Sequence, residues 1–412
     1  VIESVQISYG LTIPKEKDVT IDLNGKTITS TIMIENSGKL KVLDSSKDKT
    51  GKLVNTKTYV IDNKYNAELT IDGGNFKATT GYAIYNEGGI ATINSINVES
   101  DTSGIGNMSG TMKIKSANIT SKSTGIYAQG NITIENATIN SGSNSLEIYY
   151  GSMTINGGTY KSATNSALYN YGGTLTVNGG TFTTENNTTF TNRYSSGTWS
   201  ITHTNVNING GTFKYLGTNA NYYAVANYSK MNILGGNIES SSGYAVYTEN
   251  YELNIGSKDG TVDKDAPIIK GSSYGVHIKS GVANFYDGTL KGKTNGYNGN
   301  FTSIEDATVI EDGTEVIDNE NYKLNYLVAQ KDFLEVDGVK YNSFEKAMSS
   351  IEETGTIKVI ETVQVNYGLT ISKEKDIILD LNGKTVTSTI MTDNSGKLKV
   401  IDSSSEKNGG LI

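Results

Sequence analysis

LTIDGGNF (Leu69–Phe76) returns along the chain as MTINGGTY (Met153–Tyr160), LTVNGGTF (Leu175–Phe182), VNINGGTF (Val206–Phe213) and MNILGGNI (Met231–Ile238). Apolar and polar residues alternate ahead of the glycine pair, which is the period of a strand. The pair then breaks the alternation as a bulge or a left-handed turn would. Weaker copies are ATINSINV (Ala91–Val98), MKIKSANI (Met112–Ile119), ITIENATI (Ile132–Ile139), ANFYDGTL (Ala283–Leu290) and FTSIEDATVI (Phe301–Ile310). The polar residue ahead of the closing apolar position falls at 75, 97, 118, 138, 159 and 181, with spacings of 22, 21, 20, 21 and 22. It falls again at 212 and 237, where inserted loops stretch the spacing to 31 and 25.

About eight polar residues beyond each copy comes another short strand pattern: AIYN at 83–86, GIYA at 125–128, EIYY at 147–150, ALYN at 167–170, AVAN at 224–227, AVYT at 245–248 and GVHI at 275–278. A coil of about 21 residues with two or three short strands buries no core by itself. Stacked copies do, with each strand pairing to its equivalent one rung up. Parallel stacking at about 4.8 Å per rung follows, and about eleven rungs predict a unit roughly 50–60 Å long.

A second repeat encloses the first. Val1–Val54 and Val359–Ile412 align without a gap at an offset of 358, with 38 of 54 positions identical. The chain therefore reads as about one period of a longer tandem array. Within the shared segment, VTIDLNGKTI (Val19–Ile28) returns as IILDLNGKTV (Ile377–Val386). This segment and the short coils together resemble the right-handed parallel β-helix of the pectate-lyase-like superfamily, over nearly the whole chain. Tandem-repeat bacterial surface adhesins use the same fold. A string of immunoglobulin-type sandwiches is the competing architecture, but it needs units near 100 residues and strands of varied length. The expected fold class is thus all-β, a right-handed parallel β-helix solenoid with a short helical cap before the second copy.

The cap is legible where the short repeat stops, at residues 311–342. SFEKAMSSIEE carries Phe344, Ala347, Met348 and Ile351 at i, i+3, i+4 and i+7, one face of a helix. Asn342 with Glu345 predicts a capping box and Gly355 a C-terminal stop. The expected organisation is a β-helix unit over 1–330, a linker and capping helix over 331–357, and the first rungs of the next unit over 358–412. On this reading, the cap belonging to the first unit lies ahead of Val1.

Composition limits the chemistry. There is no cysteine, so neither disulfides nor thiolate metal sites exist. Freedom from cysteine is common among surface proteins of Gram-positive bacteria. A net charge of −8, with a single arginine (Arg193) against 34 lysines, opposes nucleic-acid binding and bidentate anion clamps. No apolar run reaches membrane-spanning length. The resemblance implies calcium-dependent lyases or triple-aspartate hydrolases as enzymatic relatives, but no Asp-Asp pair, Asn-Thr-Asp or Arg-x-x-x-Arg is present. No cofactor is expected. The one metal candidate is SKDGTVDKDAP with Asp259, Asp263 and Asp265, whose spacing matches no EF-hand loop. A solvated loop explains it as well, and the same holds for turn residues Asp287, Glu305 and Asp306. His203 and His277 have no nucleophile or carboxylate motif beside them.

The candidate binding residues lie on the later strand of each coil. Its aliphatic position (Ile84, Ile126, Ile148, Leu168, Val225, Val246, Val276) is expected to face the core, so the next residue faces out. That residue is Tyr85, Tyr127, Tyr149, Tyr169 and Tyr247, with His277 above. Stacked in register, these predict a tyrosine ladder, either a platform for sugar rings or protein or a structural ladder. Asn86, Asn107, Asn170 and Asn227 predict an asparagine ladder. Phe76, Tyr160, Phe182 and Phe213 predict a stack inside. Arg193, Tyr194, Trp199, His203, Tyr222 and Tyr223 gather in the insertions at 183–205 and 214–223, where a rigid solenoid places binding loops. A loop that only covers the core is the plainer alternative.

These features predict a non-enzymatic, extracellular adhesin or stalk segment at the surface or wall of a low-GC Gram-positive bacterium. It would be monomeric within a longer array, with a host surface protein or a glycan as partner. The rival is a polysaccharide-binding or polysaccharide-degrading, lyase-like β-helix; a trimeric fibre is a third form.

Overall fold

A computed structural model describes residues 1–196, 201–202, 205–258, 262, 266–305, 308–365, 367–388 and 393–412. It divides into two compact units, Val1–Ser303 with Glu311–Tyr326, and Ile304–Ile310 with Leu327–Ile412.

The first unit is a parallel β-helix. A regular coil has three strands, as in Asn131–Ile134, Ala137–Ser141 and Leu146–Tyr149. Each pairs in parallel with its equivalent in the next coil: Ile132 with Met153, Ile139 with Tyr160, Leu146 with Leu168. The stack of third strands runs from Leu11–Ile13 to Asn295–Asn298 as a 13-stranded sheet. Twelve gaps of about 4.8 Å make it about 58 Å long. The sequence reading gave about eleven rungs, because the coils of Val1–Lys64 have no glycine pair to mark them.

The glycine pair separates the first strand from the second. Its second member has a left-handed φ of 117° at Gly158 and 105° at Gly180, and a Cβ at Gly158 would stand 2.4 Å from the Ala137 carbonyl oxygen. Only glycine fits such a corner. At Glu68–Ala78 and Ile90–Ser100 the chain instead runs through as single 11-residue strands, with register shifts between Ile93 and Asn97. Turn and bulge are thus both realised.

Alternation along each strand sends one set of side chains inward. Leu69, Ala91, Met112, Ile132, Met153 and Leu175 stack as one buried column, and Ile71, Ile93, Ile114, Ile134, Ile155 and Val177 as the next. Tyr160, Phe182 and Phe213 are buried and stack at 4.7 and 4.6 Å, as predicted, whereas Phe76 is buried but level with Leu53 and Val98, outside that stack. The asparagine ladder is also inside. Asn36, Asn63, Asn86 and Asn107 are buried, and each side-chain amide donates to the next at 2.7 Å. Ala128 and Ile148 interrupt the column, which resumes at Asn170, Asn192 and Asn227. At the far end, Lys323–Tyr326 lies antiparallel to Thr289–Gly292 and occupies the edge of the second-strand stack.

The second unit opens with the hairpin Leu334–Val336 and Val339–Tyr341, then the helix Phe344–Ser349. Phe344, Ala347, Met348 and Ile351 are buried, as the helical period predicts. The cap differs from the expected capping box. Ser343, not Asn342, is the N-cap, its hydroxyl accepting from the Lys346 amide at 3.2 Å. The helix ends at Ser350, ahead of Gly355, which lies in the strand Thr354–Val359. A serine one residue nearer the apolar stripe offers the shorter reach to the third helical amide. Thr354–Val359 pairs in parallel with Asp376–Asp380, and that strand with Lys397–Ile401.

The duplicated segments fold alike, bond by bond. Asp44 accepts from the Gly25 and Gly51 amides at 2.8 and 2.6 Å, and Asp402 from Gly383 and Gly409 at 2.8 and 2.7 Å. No helix among the described residues is long and apolar enough to cross a membrane.

Candidate functional site

The outward residues of the third strands include a series of aromatic rings. Their register corrects the expected ladder. Successive partners run Tyr85, Gly106, Tyr127, Glu147, Tyr169, Thr191, Ala226, Tyr247 and His277. Tyr149 is not in that column. The strand Leu146–Tyr149 offers two inward aliphatics, Leu146 and Ile148, and Leu146 is the one level with Ile126 and Leu168. Tyr149 therefore shifts two residues along, into a column with Tyr171, Arg193 and Tyr228.

The rings form groups rather than one ladder. Tyr59 stacks on Tyr85 at 4.3 Å, with Tyr82 beside both. Gly106 then leaves a gap in the column. Tyr149 lies 5.7 Å from Tyr127, 6.3 Å from Tyr169 and 5.0 Å from Tyr171. The Arg193 guanidinium sits over the Tyr228 ring at 5.0 Å, and Tyr228 lies 5.8 Å from Tyr247. Tyr247 stacks on Tyr223 at 4.8 Å and neighbours His277, which stacks on Tyr244 at 4.4 Å. Tyr247 is only 8% exposed, so it is a packing residue more than a contact surface. Tyr222 points elsewhere, its ring edge-on to Tyr215 at 6.1 Å. Trp199, His203, Asp259, Asp263, Asp265 and Asp306 lie outside the described residues.

Between the first and last of these groups the surface opens into a groove of about 310 Å³. Two rings, Tyr149 and Tyr169, form its apolar part; Glu147 and Arg193 bring opposite charges; Asn144, Asn165, Asn187, Ser166 and Thr191 complete the lining. The polar groups are held in place. One Glu147 oxygen accepts from the Thr124 hydroxyl at 3.1 Å and the Asn144 amide at 3.0 Å. The Ser166 and Thr191 hydroxyls meet at 3.0 Å, and the Asn165 amide donates to the Ser143 hydroxyl at 2.9 Å.

Both rings remain neutral phenols. Burial, and then the negative charge of Glu147, push Tyr149 up to about 12. Burial also raises Tyr169, with the Arg193 charge pulling the other way. Their hydroxyls are thus donors across the physiological range.

Elsewhere on the solenoid several charges pair from rung to rung. Lys39 pairs with Glu68 at 3.0 Å, Lys41 with Asp72 at 2.6 Å, Lys113 with Glu135 at 3.2 Å, and Lys214 with Glu239 at 3.1 Å. Among the described residues, Glu147 and Arg193 belong to no such pair. No group of three or more His, Asp or Glu placed to hold a metal occurs among the described residues.

Sequence reasoning found Tyr149, Tyr169 and Arg193 but missed Glu147 and the amides. A signal existed: Asn165 and Asn187 stand three residues ahead of the partnered Leu168 and Phe190, a repeat of 22. Glu147 carried no such mark, because its place in the column follows from the Leu146 register.

Fold and groove define the class: a parallel β-helix with an aromatic and amide-lined groove on the outer face of its third sheet. Comparison with protein families, curated proteins and solved structures found no match for the chain.

Proposed function

We propose that the chain is a non-enzymatic, extracellular rod segment of a tandem-repeat bacterial surface protein, and that the Tyr149–Arg193 groove holds a saccharide. The groove itself carries this reading. Two half-buried tyrosines offer ring faces to the C–H face of a sugar. Fixed amides and hydroxyls supply donors and acceptors for its hydroxyl groups. Glu147 takes hydrogen bonds from hydroxyls, and Arg193 suits a carboxylate or sulfate substituent. A single lining carboxylate falls short of the acid–base pair that glycoside hydrolysis requires, which favours binding over cleavage. Repetition along an array would turn weak single-site affinity into avidity.

The test is a glycan array followed by titration of the best saccharide. Tyr149→Ala, Tyr169→Ala and Arg193→Ala should each weaken binding about tenfold or more, the loss of roughly 1.4 kcal/mol. Tyr85→Ala, outside the groove, should leave it unchanged. Binding indifferent to all three groove variants would remove the groove from the reading. Release of unsaturated sugars from a uronic-acid polymer would replace it with the lyase alternative.

A further inference from the structure

The duplicated segment provides its own internal control, because the same residues occur in two surroundings. In the second unit Ile377 and Leu379 are buried, Leu369 is 5% exposed and Val365 4%. Their counterparts at the offset of 358 are Val19 and Ile21, both half-buried, Leu11, 38% exposed, and Ile7, half-buried. Val5 is 42% exposed. Of these, Ile7, Leu11 and Ile21 border an apolar hollow of about 60 Å³ together with Ile28, Ile34 and Leu53.

What covers the second copy is visible. The strand Thr354–Val359 pairs along Asp376–Asp380, and Phe344, Ala347, Met348 and Ile351 bury themselves in the same core as Leu369 and Leu379. In the first copy, Asp18–Asp22 pairs on one edge with Lys39–Leu43. Its other edge carries no strand among the described residues. Open backbone edges beside exposed apolar side chains are the combination that recruits an added strand. The approach is already set. Val1 takes the place of Val359: the Asn24 amide donates to the Val1 carbonyl at 3.4 Å, as Asn382 does to Val359 at 3.1 Å.

We propose that the Val5–Ile34 end is a docking site for a segment of the Phe333–Val359 kind, belonging to a further copy of the repeat and running directly into Val1. Such a segment would close the open end of the unit that follows it, as Thr354–Val359 and the helix close the second copy. The proposal does not depend on the saccharide groove.

The test adds a copy of residues 332–358 directly ahead of Val1 in the full chain. The main thermal transition should rise by about 3 °C or more. Amide exchange along Asp18–Asp22 should slow at least tenfold, and binding of an apolar fluorescent dye should fall. The same addition with Phe344→Asp in the added copy should produce none of these changes. An added segment that leaves the transition, the exchange and the dye signal unaltered overturns the proposal. Dimers of the unmodified chain that the addition abolishes without raising the transition would assign the end to a second chain and overturn it too.

Discussion

Asn86 has no exposed surface, yet its side chain is fully satisfied. It accepts from Asn63 at 2.7 Å and donates to Asn107 at 2.7 Å and to the Gly89 carbonyl at 3.0 Å. Truncation strands a buried donor on one neighbour and buried acceptors on two others, each costing about 1–3 kcal/mol. Asn86→Ala should therefore destabilise the first unit by roughly 3 kcal/mol in a denaturant titration. The outer ladder is the contrast. Asn178 also bridges two coils, donating to Asn156 and accepting from Asn209 at 2.8 Å, but in contact with water. Water replaces what truncation removes there, so Asn178→Ala should cost about 0.5 kcal/mol or less. Equal costs at the two sites would contradict the assignment of the inner ladder's strength to burial.

At the scale of the element, alternation and glycine placement were legible in the sequence, whereas register was not. A strand pattern states which residues face out; it does not state which outward residues share a level. Leu146 and Ile148 are both aliphatic and two apart, so either satisfies the inward position, and the choice moves Tyr149 by one full column. The place of Glu147 in the groove was hidden for that reason. The helix shows the same limit. Its buried face was fixed by the spacing of Phe344, Ala347, Met348 and Ile351, but its start was displaced by one residue, because Asn342 and Ser343 are both good caps. Only six residues long, this helix depends on its cap and on packing. Ser343→Ala should cost about 1 kcal/mol and Phe344→Ala about 3–5 kcal/mol. Both losses should appear in hydrogen exchange of Thr354–Val359 and Asp376–Asp380, and leave the amides of Ile132–Ile155 unaffected. Slower or unchanged exchange at Thr354–Val359 in Phe344→Ala would show that the helix does not secure that strand.

For the whole molecule, the duplicated carboxylate staples make stability depend on acid. Hydrogen bonds from Ser404, and then from the Gly409 and Gly383 amides, bring Asp402 down to about 2. Burial alone would raise Asp44, but the Gly25, Gly51 and Ser46 bonds outweigh it and its carboxyl also lies below the ordinary value. A carboxylate depressed in the folded state contributes its full stabilisation above the unfolded value, near 3.9, and loses it as pH falls toward the folded one. The thermal transitions should therefore decline between about pH 4 and pH 2. Neutralising the chain's 43 acidic residues in the same range also leaves its cations unopposed, so the decline alone does not isolate the staples. Substitution does. Asp402→Asn has no carboxylate to protonate at the Gly383 and Gly409 amides, so it should be less stable than the parent at pH 7 and should fall less steeply below pH 4. General charge repulsion, almost unchanged by one residue, would give parent and variant parallel curves. Convergence of the two curves toward pH 2, followed by scanning calorimetry across pH 2–7, is the outcome the Asp402 geometry requires.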